Sequence, residues 1–185
     1  MTKRAGFTLL ELLVVISIIG ILASIIYVSF TDARQDARNK AMQVELKEVQ
    51  LAIETYRSQN DTFPLPNPNC DTADGGELYA TDNGCTENYI SGLIPEFTDL
   101  LPSSDESANA ACDIEYRTDT FGTWYKLTAI NCLAGVDSTS GLTANEPLAR
   151  CSNVCSNTGS GEVCDDTDAD YFESFAVYSL GGQCE

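Results

Sequence analysis

Apolar and polar positions divide this chain of 185 residues into stretches of different periodicity. From Phe7 to Phe30 it is apolar apart from Thr8, Glu11, Ser17, Ser24, Ser29 and small interruptions such as Gly20. The part after Glu11 has about the ~20 residues that a helix rising ~1.5 Å per residue needs to cross a bilayer core. From Thr31 to about Ser58 there is neither Gly nor Pro, and Met42, Leu46, Val49, Ile53 and Tyr56 recur at spacings of four, three, four and three. That is one face of an amphipathic helix. The pattern predicts a single helix from Phe7 to about Ser58, ~78 Å long at ~1.5 Å per residue, whose second half packs on a head through the stripe.

Asn60-Asp61-Thr62-Phe63-Pro64 ends the helix, and Pro64, Pro66 and Pro68 keep the chain extended or turning. Residues 67–88, rich in Asn, Asp, Thr and Gly, read as an irregular loop stapled by Cys70 and Cys85, and Tyr89–Pro102 as a further loop with apolar anchors. Alternation then returns: Ile114, Tyr116 and Thr118 alternate with Glu115 and Arg117, and Tyr125, Leu127 and Ala129 with Lys126 and Thr128, around a turn at Gly122. This predicts a β-hairpin bracketed by Cys112 and Cys132, with Trp124 as a packing residue. Another short strand is expected within Phe175–Leu180. The fold class is therefore α+β: a long N-terminal helix, hydrophobic in its first half and amphipathic in its second, packed on a small antiparallel sheet with disulfide-stapled loops.

Charge sharpens the division. The net charge is −18, yet residues 1–57 hold seven Lys/Arg and six Asp/Glu, whereas residues 58–185 hold three and 22, so the second part alone carries −19. Such a surface repels nucleic acid phosphates and anionic lipid, and no direct nucleic acid binding is expected. There is no His, which removes the usual general base near neutral pH. All eight cysteines, Cys70, Cys85, Cys112, Cys132, Cys151, Cys155, Cys164 and Cys184, lie beyond residue 69. An even count in a loop-rich part reads as a disulfide framework outside the cytoplasm, and its about 105 connectivities stay open. Zinc is disfavoured because no Cys-x-x-Cys pair occurs.

Lys3 and Arg4 precede the apolar run, so the positive-inside rule keeps that end cytoplasmic and exports everything after Phe30. An ordinary cleaved signal would share the basic start and the small residues Ala23 and Ser24. Its apolar core is only ~7–15 residues, however, and Glu11 at the head of the run is costly in lipid unless it has a partner.

The stretch Lys3-Arg4-Ala5-Gly6-Phe7-Thr8-Leu9-Leu10-Glu11, followed by Leu12-Leu13-Val14-Val15-Ile16, resembles the prepilin signal of the type IV pilin and type II secretion pseudopilin family. Ile18–Ala23 continues the similarity, which is strong to about residue 60 and holds in outline beyond. The resemblance implies that a prepilin peptidase cuts after Gly6 and methylates the new amino terminus at Phe7, and that Glu11 is the packing carboxylate. It divides the chain into a leader (1–6), a transmembrane and filament-core helix (7–30), an amphipathic stalk helix (31–60) and an acidic disulfide-rich head (61–185). The partners it implies are further copies in a helical filament, the peptidase, an inner-membrane assembly platform and minor pilins. One departure stands out: many pilins carry a proline near the end of the apolar run, and here none precedes Pro64. Tyr89–Pro102 also resembles, less closely, the loop after the long helix of major pseudopilins.

Physical chemistry gives Glu11 a role beside the resemblance. Removal of the leader creates a cation at Phe7, and a carboxylate buried in lipid or a filament core is tolerable mainly when such a cation neutralises it. An intermolecular pair between Glu11 of one subunit and the Phe7 amine of the next would set axial register; a side chain snorkelling to the headgroups is the other reading. Late in the chain, Asp165, Asp166, Asp168 and Asp170 follow Cys164. They read either as a solvated acidic turn or as hard oxygens around calcium, which major pseudopilins bind in a late loop. No cofactor is required.

The leading expectation is a structural filament subunit, held in the inner membrane with its head outside and then assembled into an extracellular or periplasmic fibre. A major pseudopilin of a type II secretion system is the alternative within that class, and a membrane-anchored binding module that never polymerises is the alternative outside it. An enzyme is not expected, since neither a His nor a Gly-x-Ser-x-Gly motif is present.

Overall fold

The computed structural model describes residues 7–70, 72–74, 76–85, 88–104, 111–133, 135, 147–152, 155, 164 and 169–184, with backbone alone at 25–29, 31, 32, 72–74, 169 and 170. Two compact units make up the chain, residues 1–37 and 38–185. Helix α1 spans Leu9–Asn60, 52 residues.

In the first unit every apolar side chain from Leu9 to Leu22 is exposed, none below 46%. A helix apolar all round is completed only by lipid or by other helices. Two of its polar interruptions are satisfied within the helix: Ser17 donates to the Leu13 carbonyl at 2.7 Å and Ser24 to that of Ile21 at 2.7 Å. Hydroxyls bonded back to their own helix leave no donor stranded in an apolar setting.

In the second unit the predicted stripe is the core. Met42, Leu46, Val49 and Ile53 are buried, together with Ala52, and Tyr56 packs at their edge against Phe97. The helix ends two residues later than predicted. Asp61 takes a left-handed conformation (φ 63°) and donates its N–H to the Arg57 carbonyl at 2.8 Å, closing the last turn before Phe63 and Pro64 turn inward.

Five antiparallel strands follow in sequential order: β1 (Thr72–Asp74), β2 (Glu77–Thr81), β3 (Asp113–Asp119), β4 (Tyr125–Ile130) and β5 (Phe175–Tyr178). The predicted hairpin is β3–β4, with Tyr116 opposite Leu127. Its turn needs a glycine, because Gly122 has φ 62° and a Cβ there would lie 2.5 Å from the Phe63 carbonyl oxygen. Strands β1 and β2 lie within the stretch expected to be irregular. Both are short; β2 brings Ala80 into the core and is held by pairing along β3 and by Arg117, which bonds Glu77 at 3.1 Å and Glu115 at 3.1 Å.

Strand β4 departs from the predicted alternation. Ile114, Tyr116, Tyr125, Leu127 and Ala129 join the helix stripe in one core, but Lys126 and Thr128 on the opposite face are also buried. The C-terminal segment covers them: Lys126 Nζ reaches Cys151 Sγ at 3.5 Å, and Cys151, Cys164 and Tyr171 form a second small core with Cys155 and Phe172. A short helix, α2 (Ala169–Phe172), carries Tyr171 into it.

All eight cysteines are paired, as Cys70–Cys85, Cys112–Cys132, Cys151–Cys164 and Cys155–Cys184. The second bridge ties the residue just before β3 to the second residue after β4. The last two interlock in sequence and staple the C-terminal cover.

A polar network fastens the loop before residue 104 to the sheet. The Asp82 carboxylate accepts N–H bonds from Ser104 and from Ile114, the latter at 2.9 Å, and Asn83 bridges Ser104 Oγ (3.0 Å) and Asp113 Oδ1 (3.3 Å). Tyr89, fully inside, donates its hydroxyl to the Pro102 carbonyl at 3.1 Å. Burial pushes the Asp113 carboxyl up to about 6, helped by its hydrogen bond to Asp82 and by that neighbour's charge. For Asp82, burial opposes ionisation, but hydrogen bonds from Ser104, Asp113 and Ile114 hold it below the usual carboxylate range.

Candidate assembly site

The start of α1 brings Thr8 and Glu11 together. Thr8 N–H donates to Glu11 Oε2 at 2.8 Å and Thr8 Oγ1–H to the same oxygen at 2.9 Å, while Glu11 N–H donates to Thr8 Oγ1 at 3.2 Å. This is a capping box with Thr8 as N-cap and Glu11 three residues on. The first N–H groups of a helix have no partner within it, and here the box supplies two of them. The Thr-x-x-Glu pattern before an apolar run carries this signal in the sequence, and the reading of Glu11 as an intermolecular partner passed over it.

The box changes what Glu11 has to do alone. In a lone subunit its carboxylate already accepts two bonds and sits beside the positive end of the helix dipole. Both bonds fall on Oε2, so a cation approaching Oε1 need break neither. Phe7, one residue before the box, is 84% exposed. Gly6, the other half of the expected cleavage site, lies outside the described residues.

Other sequence-derived sites are less fully placed. Asp165, Asp166 and Asp168, and the side chain of Asp170, lie outside what is described. Among the described residues, no group of three His, Cys, Asp or Glu side chains is arranged to hold a metal ion. Likewise, no helix among them is long and apolar enough to cross a membrane. The span expected over Phe7–Phe30 includes residues 25–29, whose side chains are not described.

Residues 1–27 match the family model for the prokaryotic N-terminal methylation motif. The capped Thr8–Glu11 turn falls within this matched stretch, and the motif together with the relatives below supports a likeness of this N-terminus to those of type IV pilins and pseudopilins. Among curated relatives, the chain is 34% identical over 65 residues to the type II secretion system core protein G of Escherichia coli, covering 35% of this chain and 45% of the relative. It is 33% identical over 64 residues to the proteins of the same name from Vibrio cholerae and Klebsiella pneumoniae, covering 35% of this chain and 44% and 46% of theirs. The chain thus spans less than half the length of these relatives. No solved structure matches it.

Proposed function

We propose that the protein is a structural subunit of a type IV pilus or pilus-like filament. A prepilin peptidase cuts it between Gly6 and Phe7; it waits as a single-pass membrane precursor with the acidic head outside, then assembles through its N-terminal helix. The observation that carries this reading is the methylation-type motif over residues 1–27, joined to a helix whose apolar side chains are exposed all round. The Thr8–Glu11 capping box would serve any helix, so the filament reading draws on Glu11 only through its unbonded Oε1, open to a neighbour's cation. In the assembled state, the Phe7 amine of one subunit neutralises Glu11 of its neighbour.

Within this class, a core subunit of a type II secretion pseudopilus is favoured by one specific observation, that the relatives above are all type II secretion system core proteins G. The test is intact mass and N-terminal sequencing of material sheared from cells and of membranes, with and without the peptidase. N-methylated Phe7 in sheared material supports a surface filament, and the same terminus confined to membranes supports a pseudopilus. An uncut Met1, or a cut near Ala23, would overturn the filament reading in favour of an anchored or secreted monomer.

A further inference from the structure

Of the eleven asparagines in the chain, only Asn83 is followed by glycine. Asn83 and Gly84 are both exposed, in the turn that follows β2. A glycine after asparagine leaves its backbone nitrogen unshielded, and that nitrogen lies within one residue's reach of the side-chain Cγ. Three neighbours meet the atoms such an attack would use. Gly84 N–H donates to Thr81 Oγ1 at 3.0 Å, and a Cβ at 84 would stand 2.9 Å from the same oxygen. Ser104 Oγ–H donates at 3.0 Å to Asn83 Oδ1, the atom on which negative charge gathers when Cγ is attacked. Asn83 Nδ2, the nitrogen that would depart, lies 3.3 Å from Asp113 Oδ1. Burial, with the hydrogen bond and charge of Asp82, raises the Asp113 carboxyl to about 6, so part of it still holds a proton near neutral pH.

We propose that Asn83 is a self-modification site, at which the Gly84 nitrogen closes a succinimide ring on the Asn83 side chain and expels ammonia. The bond from Gly84 N to Cγ forms, and the amide proton passes by way of the Thr81 hydroxyl to water. The Cγ–Nδ2 bond breaks, and the nitrogen leaves as ammonia with a proton from Asp113, which recovers one from water. Water then opens the ring at either carbonyl, leaving an aspartate or isoaspartate side chain at position 83; no oxidant or cofactor is consumed. The product bears on the head because Asn83 ties the loop end at Ser104 to the start of β3. Its formation removes the donors that Nδ2 offers to Asp113 Oδ1 and, at 3.5 Å, to the Cys112 carbonyl. It also sets a third carboxylate beside Asp82 and Asp113, so an aged subunit carries a loosened loop.

Timed incubation of the full chain in detergent, disulfides intact, tests this, with peptide mass mapping and enzymatic methyl labelling of isoaspartate as the readouts. In the folded chain Asn83 is expected to deamidate at least as fast as in the same chain unfolded in guanidinium, and faster than any other asparagine. Ser104→Ala removes the donor to Oδ1, and Asp113→Asn keeps the oxygen that Nδ2 meets but releases no proton. Each should slow the reaction of folded protein by about tenfold, a small share of what a positioned donor or acid gives in a closed site, because this turn is open to water. Neither should change the rate in guanidinium, which separates loss of the contacts from loss of the fold. If the contacts only restrain the turn, folding would protect Asn83 and both variants would speed its conversion, and the proposal would be overturned. An Asn83 that stays intact while other asparagines react would overturn it as well.

Discussion

Replacing Asp113 by Asn should stabilise the head at neutral pH while changing little near pH 4. The Asp113 carboxyl, ordinarily at 3.8, is raised to about 6 in the folded chain. A group whose folded value exceeds its unfolded one contributes stability that is complete below the unfolded value and is lost as pH rises through the folded value. Asp113 therefore supports the fold best below pH 3.8 and penalises it above about 6. Asp82, held low, acts in the opposite sense: its contribution is present above its unfolded value and is lost as pH falls through the folded one. At ~1.4 kcal/mol per pKa unit the Asp113 shift has a ceiling of about 3 kcal/mol. The pair is only half-buried, and solvent screening reduces this to about 1 kcal/mol. An Asn amide keeps the oxygen that Asn83 Nδ2 reaches and offers Asp82 a donor that does not titrate. Urea unfolding of the full chain in detergent, followed by the fluorescence of Trp124, the single tryptophan, should show the variant gaining about 1 kcal/mol over wild type between pH 4 and pH 8. A gain of equal size at every pH, or one that shrinks as pH rises, would refute the reasoning.

Three further outcomes are expected. Glu11→Ala should leave membrane insertion intact yet cut filament yield, read by fractionation and electron microscopy of the same cells; normal yield would remove the Glu11–Phe7 pair from the assembly scheme. Ile53→Ala, at a fully buried position of the helix stripe, should destabilise the head by roughly 2–5 kcal/mol in the same urea assay, and a loss below ~1 kcal/mol would mean the stripe is not the core. Gly122→Ala, at positive φ and against the Phe63 carbonyl, should lower stability by more than ~1 kcal/mol, whereas Gly76→Ala, with nothing within 4 Å of an added Cβ, should meet backbone strain alone and lose less.

The parts of this protein legible in its sequence are those where one residue type repeats against one environment. An unbroken apolar run, the four-three stripe from Met42 to Tyr56, and the alternation of β3 each report a single burial boundary, and local periodicity carries that. The capping box was equally local and equally legible, because Thr8 and Glu11 meet within one helical turn. Strands β1 and β2 were not read as strands: β1 is three residues long, and the Leu78-Tyr79-Ala80 run of β2 sits between turn-prone Asp, Gly and Asn residues, where β3 offers it a ladder and Arg117 a charge. Lys126 looked solvent-facing for the same reason, since nothing in its neighbourhood announces that the chain around Cys151, twenty-five residues later, folds back over it. Of the four disulfides, only the Cys70–Cys85 staple was anticipated; the others were left open by the spacing. Sequence by itself determined the helix, its two environments, the processing motif and the acidic head, because each follows from chemistry within a turn or two. Pairing of the cysteines, the outer cover on β4, the Asp82–Asp113 contact and the meeting of Asn83 with Ser104 were decided by tertiary structure, because each joins residues that only long-range chain closure brings within reach.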